Sequence, residues 1–417
     1  MPLPDTPAGK EAARVLEILN KDEDSTAADW EGTLDEAFTR QVPVEALLKV
    51  INQQMRPARQ FTATEVHEAG EQQISLRLAN TLPQDLQLDL GLDETGKIST
   101  LLFTPAPDAH REKLASLQDL SNFLDQQPGT IRGYIASLDG EDTLLDRESD
   151  QPAPLGSMFK LYVLQAVADA IQAGDLSWDD ELVLEDADKS LPSGELQDQP
   201  AGTKVSVFDA AMGMISISDN TATDLLIDKV GREAVEAAVK KSGHHDPQEM
   251  QPFLRTKDVF MLAWGDEKIQ KQWNNADTAQ RTSLLKELQA EDFNLEAGDI
   301  SQEPQWPAGA EWFASPKDIA RIHQLLDASK DPKIHQILTK NPGVPLDSWD
   351  SAAFKGGSDA GFMAGRWLLK DKDGKGYVVV IQQSAESAAE AAKLATGQAS
   401  LFGGISDAMN LLAGTKE

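Results

Sequence analysis

Two short runs, QISLRLA from Gln73 and LQLDLGL from Leu86, carry apolar residues at alternate positions: Ile74, Leu76 and Leu78, then Leu86, Leu88, Leu90 and Leu92. A period of two puts those side chains on one face of a sheet, and a helix cannot satisfy it. RQFTATEV precedes the two runs, and KISTLLF follows them after the turn DETG, so about four strands in antiparallel order are predicted. Upstream, residues 10–55 read as helical, with Val42, Leu47, Leu48 and Ile51 near helical spacing in VPVEALLKVINQQM. Helices followed by a meander predict a small α+β domain. The proline-marked stretch TPAPD, Thr104 to Asp108, predicts a linker at its end. The domains expected are therefore 1–108 and 109–417, and the second is expected to fold alone.

At 417 residues the chain is too long for one ordinary domain. A formal net charge of −31 repels phosphate backbones and anionic lipid, which excludes nucleic acid as an expected partner. The absence of cysteine removes disulfides, thiolate nucleophiles and thiolate metal sites. No run of about 18 apolar residues predicts a membrane span. The first twenty residues lack the basic head and apolar middle of a secretory leader. A cytoplasmic start and a leader already removed both fit that pattern.

In the second part, TIRGYIASL reads as a strand, and FKLYVLQAVADAIQAG as a helix ended by Gly174. SVFDAAMGMISI opens with Ser206 and Asp209 at a capping-box spacing. Residues 244–311 form an irregular, helix-bearing segment. Two strands near the C-terminus are predicted to turn at Asp373-Gly374, with a final helix after them.

The stretch PLGSMFKLYVLQAV places Ser157 three residues before Lys160 at the head of an apolar helix. Residues i and i+3 share a helix face. A lysine desolvated there can lose its proton near neutrality and accept the proton of a neighbouring serine. The backbone N–H of such a serine is also placed to hold an oxyanion. The spacing alone is common: SLLK gives Ser283 and Lys286 the same relation in an ordinary helix. Two further elements give the first pair company. Ser218-Asp219-Asn220 lies about sixty residues downstream and is the one Ser-Asp-Asn of the chain. Lys355-Gly356-Gly357-Ser358 follows on a predicted strand, whereas Lys241-Ser242-Gly243 has the composition of a helix C-terminal cap.

Ser-x-x-Lys, Ser-Asp-Asn and Lys-x-Gly in this order resemble the serine β-lactamase and penicillin-binding protein superfamily, with class A enzymes the nearest match in order and first gap. The resemblance covers residues 111–417 and implies a class A β-lactamase-like α/β/α domain. It implies that Ser157 is the acylated nucleophile, Lys160 its proton acceptor, and Ser218 the relay to the leaving group. It further implies that Asn220 binds Lys160 and the substrate amide, and that Lys355 meets the substrate carboxylate. The backbone N–H groups of Ser157 and Ser358 would form the oxyanion hole, Ser358 following Gly357 on the strand, and Asp219 would tie its loop internally. Gly356 stands where the family usually has a hydroxyl, for which Ser358 could partly substitute.

Class A enzymes also need a glutamate that activates the deacylating water, expected here near Phe253 in EMQPFLRTKD. No such motif is present, and Glu249 and Glu291 lack its surroundings. A Tyr-x-Asn element is absent too, since Tyr134, Tyr162 and Tyr377 have no partnering asparagine. Acylation is thus equipped, and poor β-lactam deacylation is expected. The combination is similar to the two-domain lactamase-like proteins of clavulanate biosynthesis, which pair a small cystatin- or isomerase/cyclase-like domain with a class A-like one. In the N-terminal part Glu65 and His67 alternate on one strand, as exposed strand residues do. His244-His245-Asp246 lacks HExxH spacing and reads as a loop, so no metal and no cofactor are predicted.

The expected function is an active-site-serine hydrolase acting on small esters, amides or β-lactams. A true β-lactamase with a displaced base, and a penicillin- or peptidoglycan-binding module without turnover, are the alternatives. Oligomeric state and natural substrate are left open by the sequence.

Overall fold

The computed structural model describes residues 1–414 apart from 36–37, 40–41, 82–84, 107–111, 192, 266, 291–292, 296–298, 302, 345 and 347. It divides into two compact units, Met1–Glu112 with Gln398–Gly403, and Lys113–Gly397 with Gly404–Glu417. The expected boundary at residues 108 and 109 lies outside the described residues. Among the described residues no helix is long and apolar enough to cross a membrane.

In the first unit, helix α1 (Pro7–Asn20) is followed by a short helix α2 (Val44–Lys49) and strands β1 (Thr62–Ala69), β2 (Gln73–Ala79), β3 (Leu86–Leu92) and β4 (Ile98–Pro105). The strands form an antiparallel meander in sequence order. Their alternating leucines, Leu76, Leu78, Leu88 and Leu90, are buried with Val15, Ile18 and Leu19 of α1 in one core. Each such side chain contributes roughly 1.5–3 kcal/mol when fully buried.

The helical reading of residues 10–55 is met in separate pieces. After α1 the polar run from Lys21 leads to a single helical turn at Ala27–Trp30, whose indole donates to Ser25 Oγ at 2.9 Å. Gly32 then takes a positive φ of 72°, and Leu34 bridges to Ile98 of β4. Between the helical pieces Leu34 makes a sheet contact and no helix.

In the second unit, α3 (Leu117–Asp125) precedes β5 (Thr130–Ser137), β6 (Thr143–Arg147) and the two-residue β7 (Ala153–Pro154). Helix α4 (Lys160–Ala173) ends, as predicted, at Gly174 with φ 82°. A small β8–β9 pair (Glu181–Val183, Lys204–Ser206) leads into α5 (Val207–Ser216), capped by Ser206 Oγ, which accepts from Asp209 N at 3.0 Å. Then come α6 (Asn220–Val230), α7 (Arg232–Lys241), α8 (Thr256–Trp264), α9 (Glu267–Trp273), α10 (Thr278–Leu288), β10 (Phe313–Ala314), α11 (Pro316–Asp327) and α12 (Pro332–Thr339). The chain closes with β11 (Ser351–Asp359), β12 (Phe362–Lys370), β13 (Gly376–Ser384) and α13 (Ala388–Leu412).

Five strands pair antiparallel in the order β11-β12-β13-β5-β6, so β11 is an edge. The β12–β13 turn closes as predicted, with Gly374 at φ 84° and the Asp371 carboxylate accepting from Asp373 N and Lys375 N. Helix α11 packs on β5 and β13, and α12 on β11. Helix α4 is buried from Lys160 through Val167 and touches α5, α6, α7 and α11. A helix apolar on all sides is one surrounded by protein. This is what drives Lys160, at its first position, out of water.

Candidate active site

Ser157 lies in the single helical turn Gly156–Phe159 that runs into α4. Lys160 is fully buried, and its Nζ donates to Ser218 O at 2.6 Å, to Asn220 Oδ1 at 2.6 Å and lies 3.1 Å from Ser218 Oγ. Burial pushes the Lys160 ammonium down to about 7, against the opposing fields of Asp224 and Asp219. On the other side, Lys355 Nζ donates to Ser218 Oγ at 2.9 Å and to Gly356 O at 2.8 Å. Burial, then Lys160 and Arg366, holds Lys355 well below the ordinary lysine range. One hydroxyl therefore lies within reach of two amines that both release protons readily.

The backbone is arranged to keep that hydroxyl there. Ser218 adopts φ 61°, a left-handed conformation uncommon for serine. Its carbonyl accepts from Lys160 and, at 2.7 Å, from Ser193 Oγ. Asp219 ties the loop, as the resemblance implied, accepting from Ala222 N at 2.8 Å, Glu195 N at 2.8 Å and Leu196 N at 2.9 Å. Asn220 opens α6, and its amide donates to Leu191 O at 3.0 Å, which turns Oδ1 toward Lys160.

The edge strand β11 is pressed against the turn that carries Ser157. A Cβ added to Gly357 would lie 2.0 Å from Leu155 O and 2.7 Å from Ser157 N, and one added to Gly156 would lie 2.7 Å from Ser358 N. This close approach requires glycine at both positions and sets the Ser157 and Ser358 amides side by side. Gly357→Ala should force strand and turn apart. The expected result is a loss of about a hundredfold in acylation rate, the order of one lost oxyanion donor, read by stopped-flow with an acylating probe.

Ser157 and Asn220 line a cavity of about 440 Å³ with Phe159, Ser193, Glu311, Trp312, Ser358 and Asp359 among its walls. The Ser283–Lys286 pair is exposed on α10, with Ser283 Oγ donating to Ala279 O at 3.2 Å, outside this cavity. Lys241-Ser242-Gly243 ends α7, with Gly243 at φ 78°.

The region expected to hold the deacylating glutamate carries none in the cavity. Phe253 is fully buried against Phe159, and Glu249 faces His245 at 3.7 Å. Glu291 lies outside the described residues. The cavity's acids are Glu311 and Asp359, which the sequence reading did not single out. The one available signal was a carboxylate set within the apolar string Ala310-Glu311-Trp312-Phe313. Arg366 was also missed. It pairs across β11–β12 with Lys355, fully buried, and its guanidinium bonds His323.

His244, His245 and Asp318 bring their ligand-type atoms within 4.8 Å of one another. The Asp318 carboxylate is engaged already, accepting from Ser315 N at 2.9 Å, Ser315 Oγ at 2.7 Å and His245 N at 2.8 Å. Its work is to cap α11 and anchor the loop.

A family model described as the β-lactamase enzyme family matches residues 115–342, more than half of the chain. The chain belongs to that family. A second model, described as ORF 12 gene product N-terminal, matches residues 3–98. Solved structures similar to this β-lactamase-family chain include a β-lactamase from Sphaerobacter thermophilus, at 22% identity and a TM-score of 0.50, covering 73% of this chain and 98% of that one. A class A β-lactamase from Mycobacterium abscessus matches at 16% identity and a TM-score of 0.50, covering 72% of this chain and 99% of that one. At these identities the likeness is one of fold. No curated protein matches the chain.

Proposed function

We propose that the second unit is an active-site-serine acyl-transfer hydrolase acting on small esters, amides or β-lactams, and that residues 1–108 are an accessory domain joined to it. The observation that carries this reading is a fully buried lysine, titrating at about 7, bonded to Ser218 and Asn220 one turn from a serine in a cavity. Neutral Lys160 accepts the Ser157 proton as Oγ attacks the acyl carbon. The Ser157 and Ser358 amides hold the developing oxyanion. Ser218, in reach of both amines, hands the proton to the leaving nitrogen or oxygen. Lys355, bonded to Ser218 Oγ, takes up its proton when a substrate carboxylate pairs with it and so anchors that group. β-Lactams acylate and leave slowly, because the segment around Phe253 lacks the glutamate that activates the deacylating water in class A enzymes. The pairing of the two domains supports a likeness to the lactamase-like proteins of clavulanate biosynthesis.

A fluorescent penicillin chase, run beside turnover of a nitrophenyl ester, tests the reading. Persistent label together with ester turnover is the expected result. Rapid loss of label would make the protein a true β-lactamase. Persistent label without ester turnover would make it a binding module. Neither label nor turnover would overturn the reading.

A further inference from the structure

We propose that Glu311 is the base that activates the water which hydrolyses a small acyl group from Ser157, with Asp359 as a neighbouring acid on the same cavity wall. This rests on the acyl-enzyme reading above. Glu311 is 6% exposed and lines the cavity that holds Ser157. Its Oε1 accepts the Gly156 N–H at 3.2 Å and the Trp312 N–H at 2.8 Å. Gly156 directly precedes the nucleophile, so the carboxyl is fixed beside the residue that carries the reacting atom. Oε2 has no hydrogen-bond partner among the described residues. An acceptor on a cavity wall that no protein donor fills is a place for a water molecule.

Asp359, one residue beyond Ser358 on β11, lines the same cavity, and its charge acts on Glu311. Burial, and then Asp359 itself, pushes Glu311 well above the usual carboxylate range, and burial raises Asp359 as well. The two carboxyls share the cavity wall, so ionising one makes ionising the other harder. Lys160, just past the turn that carries Ser157, and Lys355, on β11, are bonded to Ser218 and do not line the cavity, whose walls near the pair include the apolar Val259 and Phe260 of α8. The lysines serve Ser218, which leaves the carboxyl pair free for a second proton transfer.

The step balances. Water attacks the acyl carbon, and its proton passes to the Glu311 carboxylate. The tetrahedral oxyanion rests on the Ser157 and Ser358 amides. As the carbon–Oγ bond breaks, the proton held by Glu311 returns to Oγ. The products are the free carboxylic acid and the free serine. With a β-lactam the leaving amine stays tethered to the acyl group and remains in the cavity, in the way of that water.

The test is burst kinetics with a short-chain nitrophenyl ester, in which the burst reports acylation and the steady phase reports deacylation. Glu311→Gln keeps an acceptor for both amides. It should retain the burst and lose about a hundredfold in the steady phase, the order of one general base, with the acyl-enzyme accumulating by intact mass. Wild-type deacylation should rise with pH through a value above the ordinary carboxylate range, and this limb should vanish in Glu311→Gln. Asp359→Asn removes the neighbouring charge and should move the limb to lower pH. A Glu311→Gln steady phase at the wild-type rate, or an unmoved limb in Asp359→Asn, overturns the proposal. So does equal loss of burst and steady phase, which would make Glu311 only a support of the nucleophile's turn. Absence of a burst in the wild type would instead defeat the acyl-enzyme reading itself.

Discussion

Replacing Ser157 with alanine is expected to abolish covalent labelling by a serine-directed acylating probe and all ester turnover. Ser283→Ala is expected to leave both intact. The two serines share the same spacing to a lysine, and their surroundings separate them. Ser157 lines a cavity three residues before a buried lysine, whereas Ser283 is exposed on a helix with its hydroxyl turned back to Ala279 O. No activated hydroxyl is left in Ser157→Ala to form the ester, so the expected loss is complete within detection. Labelled peptide recovered with Ser283 would reverse the assignment.

The second large effect belongs to Lys160. Lys160→Ala is expected to lose about 10²–10⁴-fold in acylation rate, the range of a positioned general base. Lys286→Ala, exposed on α10, should change nothing. Stability should move the other way. In the folded state Lys160 titrates at about 7, below its ordinary 10.5. Between those two values the unfolded chain binds more protons, so this lysine favours folding more as pH rises through that window. Below pH 7 a charged amine is held in a dry site, and its effect on stability is worst. Removing it relieves that cost and leaves a small cavity in return. The melting temperature of Lys160→Ala should therefore be level or higher near neutrality, with its largest relative gain at low pH. Calorimetry at two pH values checks the sign.

The parts of the site that were legible are those whose chemistry is local. Ser157 and Lys160 declare themselves because a lysine at the head of an apolar helix is costly without a task. Ser218-Asp219-Asn220 is legible because Asp219 caps α6 while its neighbours face Lys160. The meander of the first unit was legible from its alternation. The break after Asn20 was not, because Trp30 and Leu34 keep apolar spacing while Gly32 turns the chain. Glu311 was hidden for a different reason. It meets Gly156 across 155 residues of chain, and nothing local marks a glutamate before a tryptophan as reaching the turn that carries Ser157. Arg366 likewise becomes significant only once strand register sets it opposite Lys355.

The claim on which the rest depends is that neutral Lys160 takes the Ser157 proton. The pH dependence of single-turnover acylation tests it directly, using a probe whose own charge does not change between pH 5 and 9. The predicted profile rises with pH to a plateau with an apparent midpoint near 7, matching the lysine, and Lys160→Ala loses the rise along with the rate. A profile flat across that range in the wild type, or the same rise persisting in Lys160→Ala, would contradict the assignment of Lys160 as the base.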